Sequence, residues 1–123
     1  MPRAKVSLEK IVEGETSFLS ICVETKNAVL LLLSEEEDHL GTLAVAIPQP
    51  RKKLGAPLSS VFLGDRNVFL ARVLAERIAE TRKKLSLVSV SAKTVDEHDV
   101  GPILLRLTEK AVSGMKTPNE AEN

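Results

Sequence analysis

The side chains with chemical reach are few, and they fall in short runs. There is one cysteine, Cys22, and there are two histidines, His39 and His98. A single thiol makes no internal disulfide and no CxxC metal or redox pair. Glu36, Asp38 and His39 offer oxygen and nitrogen donors to a divalent ion, but an acidic tip between two strands is ordinarily a solvated turn. Asp96, Glu97, His98 and Asp99 form a second acidic run around a histidine. Carboxylates suit the positive end of a helix dipole, so this run reads as a helix start. An enzyme reading would require it to meet His39 on a buried metal. Ser34, Ser89 and Ser91 carry no nucleophile-elbow motif. Neither GxGxxG nor GxxxxGK[ST] occurs, so no phosphate cradle is indicated. No catalytic residue, metal or cofactor is therefore expected. Cys22, inside a predicted strand, reads as a small buried hydrophobe.

Two features have the character of binding rather than turnover. The segment Pro48 to Pro57 holds three prolines, Gly55 and the run Arg51-Lys52-Lys53. Proline keeps such a loop extended, and Pro50 leads directly into the basic run. It is either a solvated loop or an electrostatic contact for an acidic partner surface. The second feature is Phe69 and Val73, four residues apart within an otherwise charged helix side. Either flanking loops or the tail cover them, or they form a small hydrophobic handle for a partner.

Composition narrows the classes. The chain has 123 residues, with 17 Lys plus Arg against 17 Asp plus Glu and a formal net charge of zero. A general nucleic-acid binder would carry a basic excess, and three Phe with no Tyr or Trp leave few stacking platforms. No nucleic-acid partner is expected. The longest apolar run, Ala28 to Leu33, is far short of the roughly 20 residues of a membrane span. The first ten residues have no apolar core and read as no secretory signal. The expectation is a cytoplasmic domain over residues 1–114, with a polar, frayed tail over residues 115–123.

The elements that must position these residues follow from hydrophobic period. Lys5 to Val12, Thr16 to Glu24, Ala28 to Leu33, Leu40 to Ile47 and Ser59 to Leu63 read as strands, with an acidic hairpin tip at residues 34–38. In the second strand Leu19, Ile21 and Val23 share one face, and Phe18, Ser20 and Cys22 the other. Asp65 is a candidate N-cap for a helix from Arg66 to about Lys83. Leu85 to Ala92 returns to period two. Thr94 to Glu97 fits a capping box, but Pro102 moves the expected start of the last helix to Asp99 or Gly101. That helix runs to about Ser113.

The first helix gathers Leu70, Ala71, Leu74, Ala75, Ile78 and Ala79 on one arc. The last gathers Val100, Ile103, Leu104, Leu107 and Ala111. Both stripes dock on a sheet, and docked helices cover one face only. The third strand is apolar on both sides, so both of its faces should be covered. A second copy packed sheet to sheet is the economical cover. Ala44 and Ala46 would receive the Ala-rich helix, leaving Leu43, Val45 and Ile47 for the dimer mate. The expected fold is α+β: a mainly antiparallel six-stranded sheet with two helices on one face, dimerising through the other.

The sequence resembles the small proteasome assembly chaperones, meaning the third and fourth members of the eukaryotic set and their archaeal relatives. The resemblance rests on Gly41-Thr42-Leu43, on Val61-Phe62-Leu63-Gly64-Asp65, on the helix containing Phe69, Ala71, Leu74, Ala75 and Ile78, and on Leu87-Val88-Ser89-Val90. It spans roughly residues 16–113. It implies a non-enzymatic chaperone that pairs with itself or a paralogue through the sheets. It further implies that the protein holds proteasome α-type subunits during α-ring assembly. A loop after the fourth strand is a feature of that family, which makes Pro50, Arg51, Lys52 and Lys53 candidate partner contacts. The ending Asn119 to Asn123 lacks the hydrophobic-Tyr-any signature of tail insertion. The competing reading is a longin- or roadblock-like dimeric scaffold for a small GTPase or trafficking complex. Its chain order usually places a helix between the second and third strands, where this sequence shows none.

Overall fold

The structure is a computed structural model that describes residues 3–48, 58–64, 66–92 and 97–117. Six strands and two helices follow in the order β1 (Lys5–Glu13), β2 (Thr16–Glu24), β3 (Ala28–Glu35), β4 (Thr42–Ile47), β5 (Leu58–Leu63), α1 (Val68–Arg82), β6 (Leu85–Ser91) and α2 (Glu97–Ser113). All six strands form one sheet in the spatial order β1-β2-β3-β6-β4-β5. β1–β2 and β2–β3 are antiparallel hairpins; the first closes through Gly14, whose φ of 64° suits a residue without a Cβ.

The sheet is mixed, because β3 and β6 run parallel at its centre while the other four pairs are antiparallel. This corrects the expected acidic hairpin. Residues 36–41 do not fold β4 back onto β3; they step across β6, which lies between them. Six residues reach roughly 20 Å, ample for the roughly 10 Å between strands two places apart. The crossing is tight at Gly41. A Cβ there would collide with the Val90 carbonyl, and the Gly41 amide donates to Ser89 Oγ at 2.8 Å.

Both helices lie on one face. α1 covers β4, β5 and β6, and α2 covers β1 and β2. Leu70, Ala71, Leu74, Ala75, Ile78 and Ala79 are buried, the same arc that the helical period selects. Ala71, Ala75 and Ala79 meet Ala44 and Ala46 in the core, so small residues let helix and strand approach closely. Beneath α2, Val100, Leu104, Leu107 and Ala111 pack with Phe18, Cys22, Leu31 and Leu33.

Helix ends depart from expectation. α1 begins at Val68, not Arg66; its N-cap is Asn67, in the left-handed region with no side-chain cap, and Asp65 lies outside the described residues. α2 begins at Glu97 and carries Pro102 inside it, whereas the sequence reading used the proline to move the helix start to Asp99 or Gly101. Gly101 removes one of the obstacles to a proline inside the helix. Proline disfavours helical backbone in the preceding residue largely through that residue's Cβ, which glycine lacks. The capping-box threonine, Thr94, lies outside the described residues.

The tail is attached further than expected. Lys116 exchanges two backbone hydrogen bonds with Val6, at 2.7 and 2.9 Å, and Met115 packs against the core. No described helix is long and apolar enough to cross a membrane.

Candidate docking surfaces

The face of the sheet opposite the helices has no element over it among the described residues. Register shows how it is built. Val6 pairs with Val23 and Leu8 with Ile21; Ile21 pairs with Leu32 and Val23 with Leu30; Leu30 pairs with Leu87, and Leu87 with Val45. Paired residues in a ladder point to the same side, so these side chains form one apolar field across five strands. Leu8 is 75% exposed and Ile47 56%; of the residues between them Leu30 is exposed too, and the rest are half-buried by their own neighbours. β3 is thus covered on one face only in a single chain, the arrangement from which the sequence reading inferred a second copy as cover.

Leu43, Val45 and Ile47 lie on this open face, and Ala44 and Ala46 lie beneath α1, fully buried. The sequence reading singled out only the β4 residues. It missed Leu8, Val12, Leu30 and Leu85, which share the face and are exposed. The alternation in β2 held the missing signal, but it needed the β1–β2–β3 register to join it to β4.

The second surface is the outer side of α1, pointing away from the sheet. Phe69 is 72% exposed and Val73 39%. No described residue covers them; the tail beyond residue 117 and parts of the flanking loops, which the covered reading invokes, lie outside the described residues. The helix start that presents them is fixed. The Thr42 hydroxyl donates to the Arg66 carbonyl, and Asn67 Nδ2 donates to the Ala92 carbonyl at 3.4 Å. Gly64, at φ 85°, abuts Thr42 so closely that a Cβ would collide with it.

The basic segment Pro50, Arg51, Lys52 and Lys53 lies outside the described residues. Its roots are at the end of the β4–β5 hairpin, where Ile47 pairs with Leu58. Ser59 there donates to a Glu76 carboxylate oxygen and accepts from Arg72 Nε at 3.1 Å, which ties this end of the hairpin to α1.

Among the described residues the chemistry-bearing side chains do not converge; Asp96 and the side chains of Glu97 and His98 lie outside them. His39 stands 3.8 Å from Glu37 at the surface, and its backbone is held by Ser34. Among the described residues no three His, Cys, Asp or Glu side chains are placed to hold a metal. Cys22 is buried beside Met115, 3.5 Å from its sulfur. Burial first, and then the negative charge of Glu24, push its thiol up to about 12 against a partial offset from Arg82, so it stays protonated at neutral pH. A groove of about 340 Å³ between the helices is floored by Ile78 and Val112 and spanned by the Arg77–Glu109 ion pair at 3.1 Å. It holds no nucleophile–base pair.

Among the described residues, the charge cluster around Glu24 is structural, and no sequence motif marked it. Glu24, 3% exposed, ends β2 on the helix side. Arg82 from the end of α1 binds both of its oxygens, and Lys84 Nζ lies 2.9 Å from Oε2. Lys84 also donates to the Thr25 carbonyl at 2.8 Å. Burial alone would raise the Glu24 carboxyl, but the hydrogen bonds and charges of Arg82 and Lys84 outweigh it and hold the group below its ordinary value.

No protein-family model matches this chain, and no curated protein matches it in sequence. Among solved structures, a chain from the crystal structure of a novel chaperone complex for yeast 20S proteasome assembly is similar, with a TM-score of 0.64. The two are 20% identical, and the match covers 87% of this chain and 91% of that one. At this identity the likeness is one of fold, extending over nearly the whole of both chains.

Proposed function

We propose that this protein is a non-enzymatic assembly chaperone. It pairs with itself or a paralogue through the open sheet face, and it holds proteasome α-type subunits while the α ring of the 20S core forms. The observation that carries the reading is the fold shared with a chain of a yeast proteasome assembly chaperone complex, together with an apolar sheet face that the fold leaves uncovered. Six strands about 4.8 Å apart and about 20 Å long present a face of order 500 Å² in projection. Upstanding side chains raise the accessible area toward the roughly 800 Å² per partner of a standard stable interface. The longin- or roadblock-like alternative finds less support. Between Glu24 and Ser59 the described residues form two strands and no helix.

Purified protein should co-elute with an isolated α-type subunit and not with the mature core particle. Reversing Arg51, Lys52 and Lys53 to Glu should weaken that complex without lowering the melting temperature. Absence of any complex at micromolar concentration would remove the chaperone reading. Unchanged affinity in the charge-reversed protein would remove the loop from it.

A further inference from the structure

We infer that the outer side of α1, centred on Phe69, is the surface that grips the client: an aromatic anchor set between arginines, made for an apolar hole rimmed by carboxylates. The inference rests on the chaperone reading and adds to it which face does the holding. Phe69 and Val73 stand one helical turn apart on the solvent side, with Phe69 the more exposed. Arg66 precedes Phe69 by three residues and Arg72 follows it by three, and both are exposed. The first turn of α1 has no acidic residue and no side-chain cap, so the positive end of the helix dipole reinforces the two arginines. Arg72 is held in place by its hydrogen bond to Ser59, which also donates to Glu76 one turn further on, and Arg77 is paired with Glu109. Arg66, Arg72 and the helix dipole thus set the positive charge at the Phe69 end.

Charge complementarity therefore selects an acidic partner surface, and the exposed aromatic selects a hole in it. Buried aromatics and arginines are the residues that carry most of the energy in protein interfaces. The anchor is also pre-organised. Arg66 and Asn67 are pinned to β4 and to the end of β6 through Thr42 and Ala92, so little ordering remains to be done on binding. The helices occupy the side of the sheet opposite the open face, so the grip stays available when two copies pair sheet to sheet.

The test measures binding of an isolated α-type subunit to the full chain, to Phe69→Ala/Val73→Ala and to Arg66→Gln/Arg72→Gln, with light scattering and a melting curve on each. The aromatic variant should bind about tenfold more weakly or worse, with its mass and melting temperature unchanged. The arginine variant should lose much of the salt dependence of binding. If wild type binds and the aromatic variant binds equally well, the grip lies elsewhere and the chaperone reading stands. If Phe69→Ala/Val73→Ala instead splits a dimer, the patch is a self-contact and the assignment is overturned. If wild type binds no α-type subunit, the reading fails and the inference falls with it.

Discussion

At the scale of the residue, Glu24 is where energetics and sequence pattern part. As the polar end of an alternating strand it looks like a residue bound for solvent, yet it is buried and clasped by Arg82 and Lys84. Its folded-state value is depressed, so its contribution is complete above the ordinary carboxyl value of 4.5 and is lost as pH falls through the lower folded value. Glu24→Gln should cost about 1–3 kcal/mol at neutral pH, the range for a hydrogen-bonded charge whose partners can still reach water. Urea melts over a pH series from about 7 to about 3 should show the gap between wild type and variant closing as the wild-type carboxyl protonates. A gap that held constant over the series would contradict this account. Sequence spacing could not find the cluster, because Glu24 and its partners are joined only when the end of α1 comes to rest beside the end of β2.

At the scale of the element, glycines mark where backbones approach. Gly41 lies where the 36–41 link crosses the Val90 carbonyl, and Gly14 turns the first hairpin in open space. Gly41→Ala must push backbone against backbone and should cost about 3 kcal/mol. Gly14→Ala meets nothing and should cost only the left-handed strain, about 1 kcal/mol. Equal losses in thermal denaturation of the two variants would mean that the β3–β4 link does not cross β6 as described. The buried arc of α1 was legible in the sequence because period alone selects it. The start of α2 was not, because a proline rule applied without its preceding glycine starts the helix too late in the chain.

At the scale of the whole molecule, the proposed function gives the two surfaces different tasks. The open sheet face is broad, apolar and continuous over five strands, which suits pairing; the α1 patch is small, aromatic and basic, which suits recognition. Val45→Lys, in the middle of the open face, should convert a dimer to a folded monomer. Multi-angle light scattering would show half the mass while circular dichroism stays unchanged. Retention of the dimer mass would move the pairing surface away from this face. Because the patch lies on the far side of the sheet, the same monomer should keep at least part of its affinity for an isolated α-type subunit.

By itself the sequence determined the six strands, the two helices and their buried stripes, and which alternate residues of β2 and β4 share a face. These are local consequences of a period of two or of 3.6 and of where proline and glycine interrupt it. Tertiary structure decided what no period carries. It placed β6 between β3 and β4, joined the apolar sides of β1 through β4 into one field, buried Glu24 under two cations and left Phe69 bare. Each depends on which segments, distant in sequence, come to lie side by side, and the pairing of a parallel strand across a helix leaves no mark in the residues that flank it.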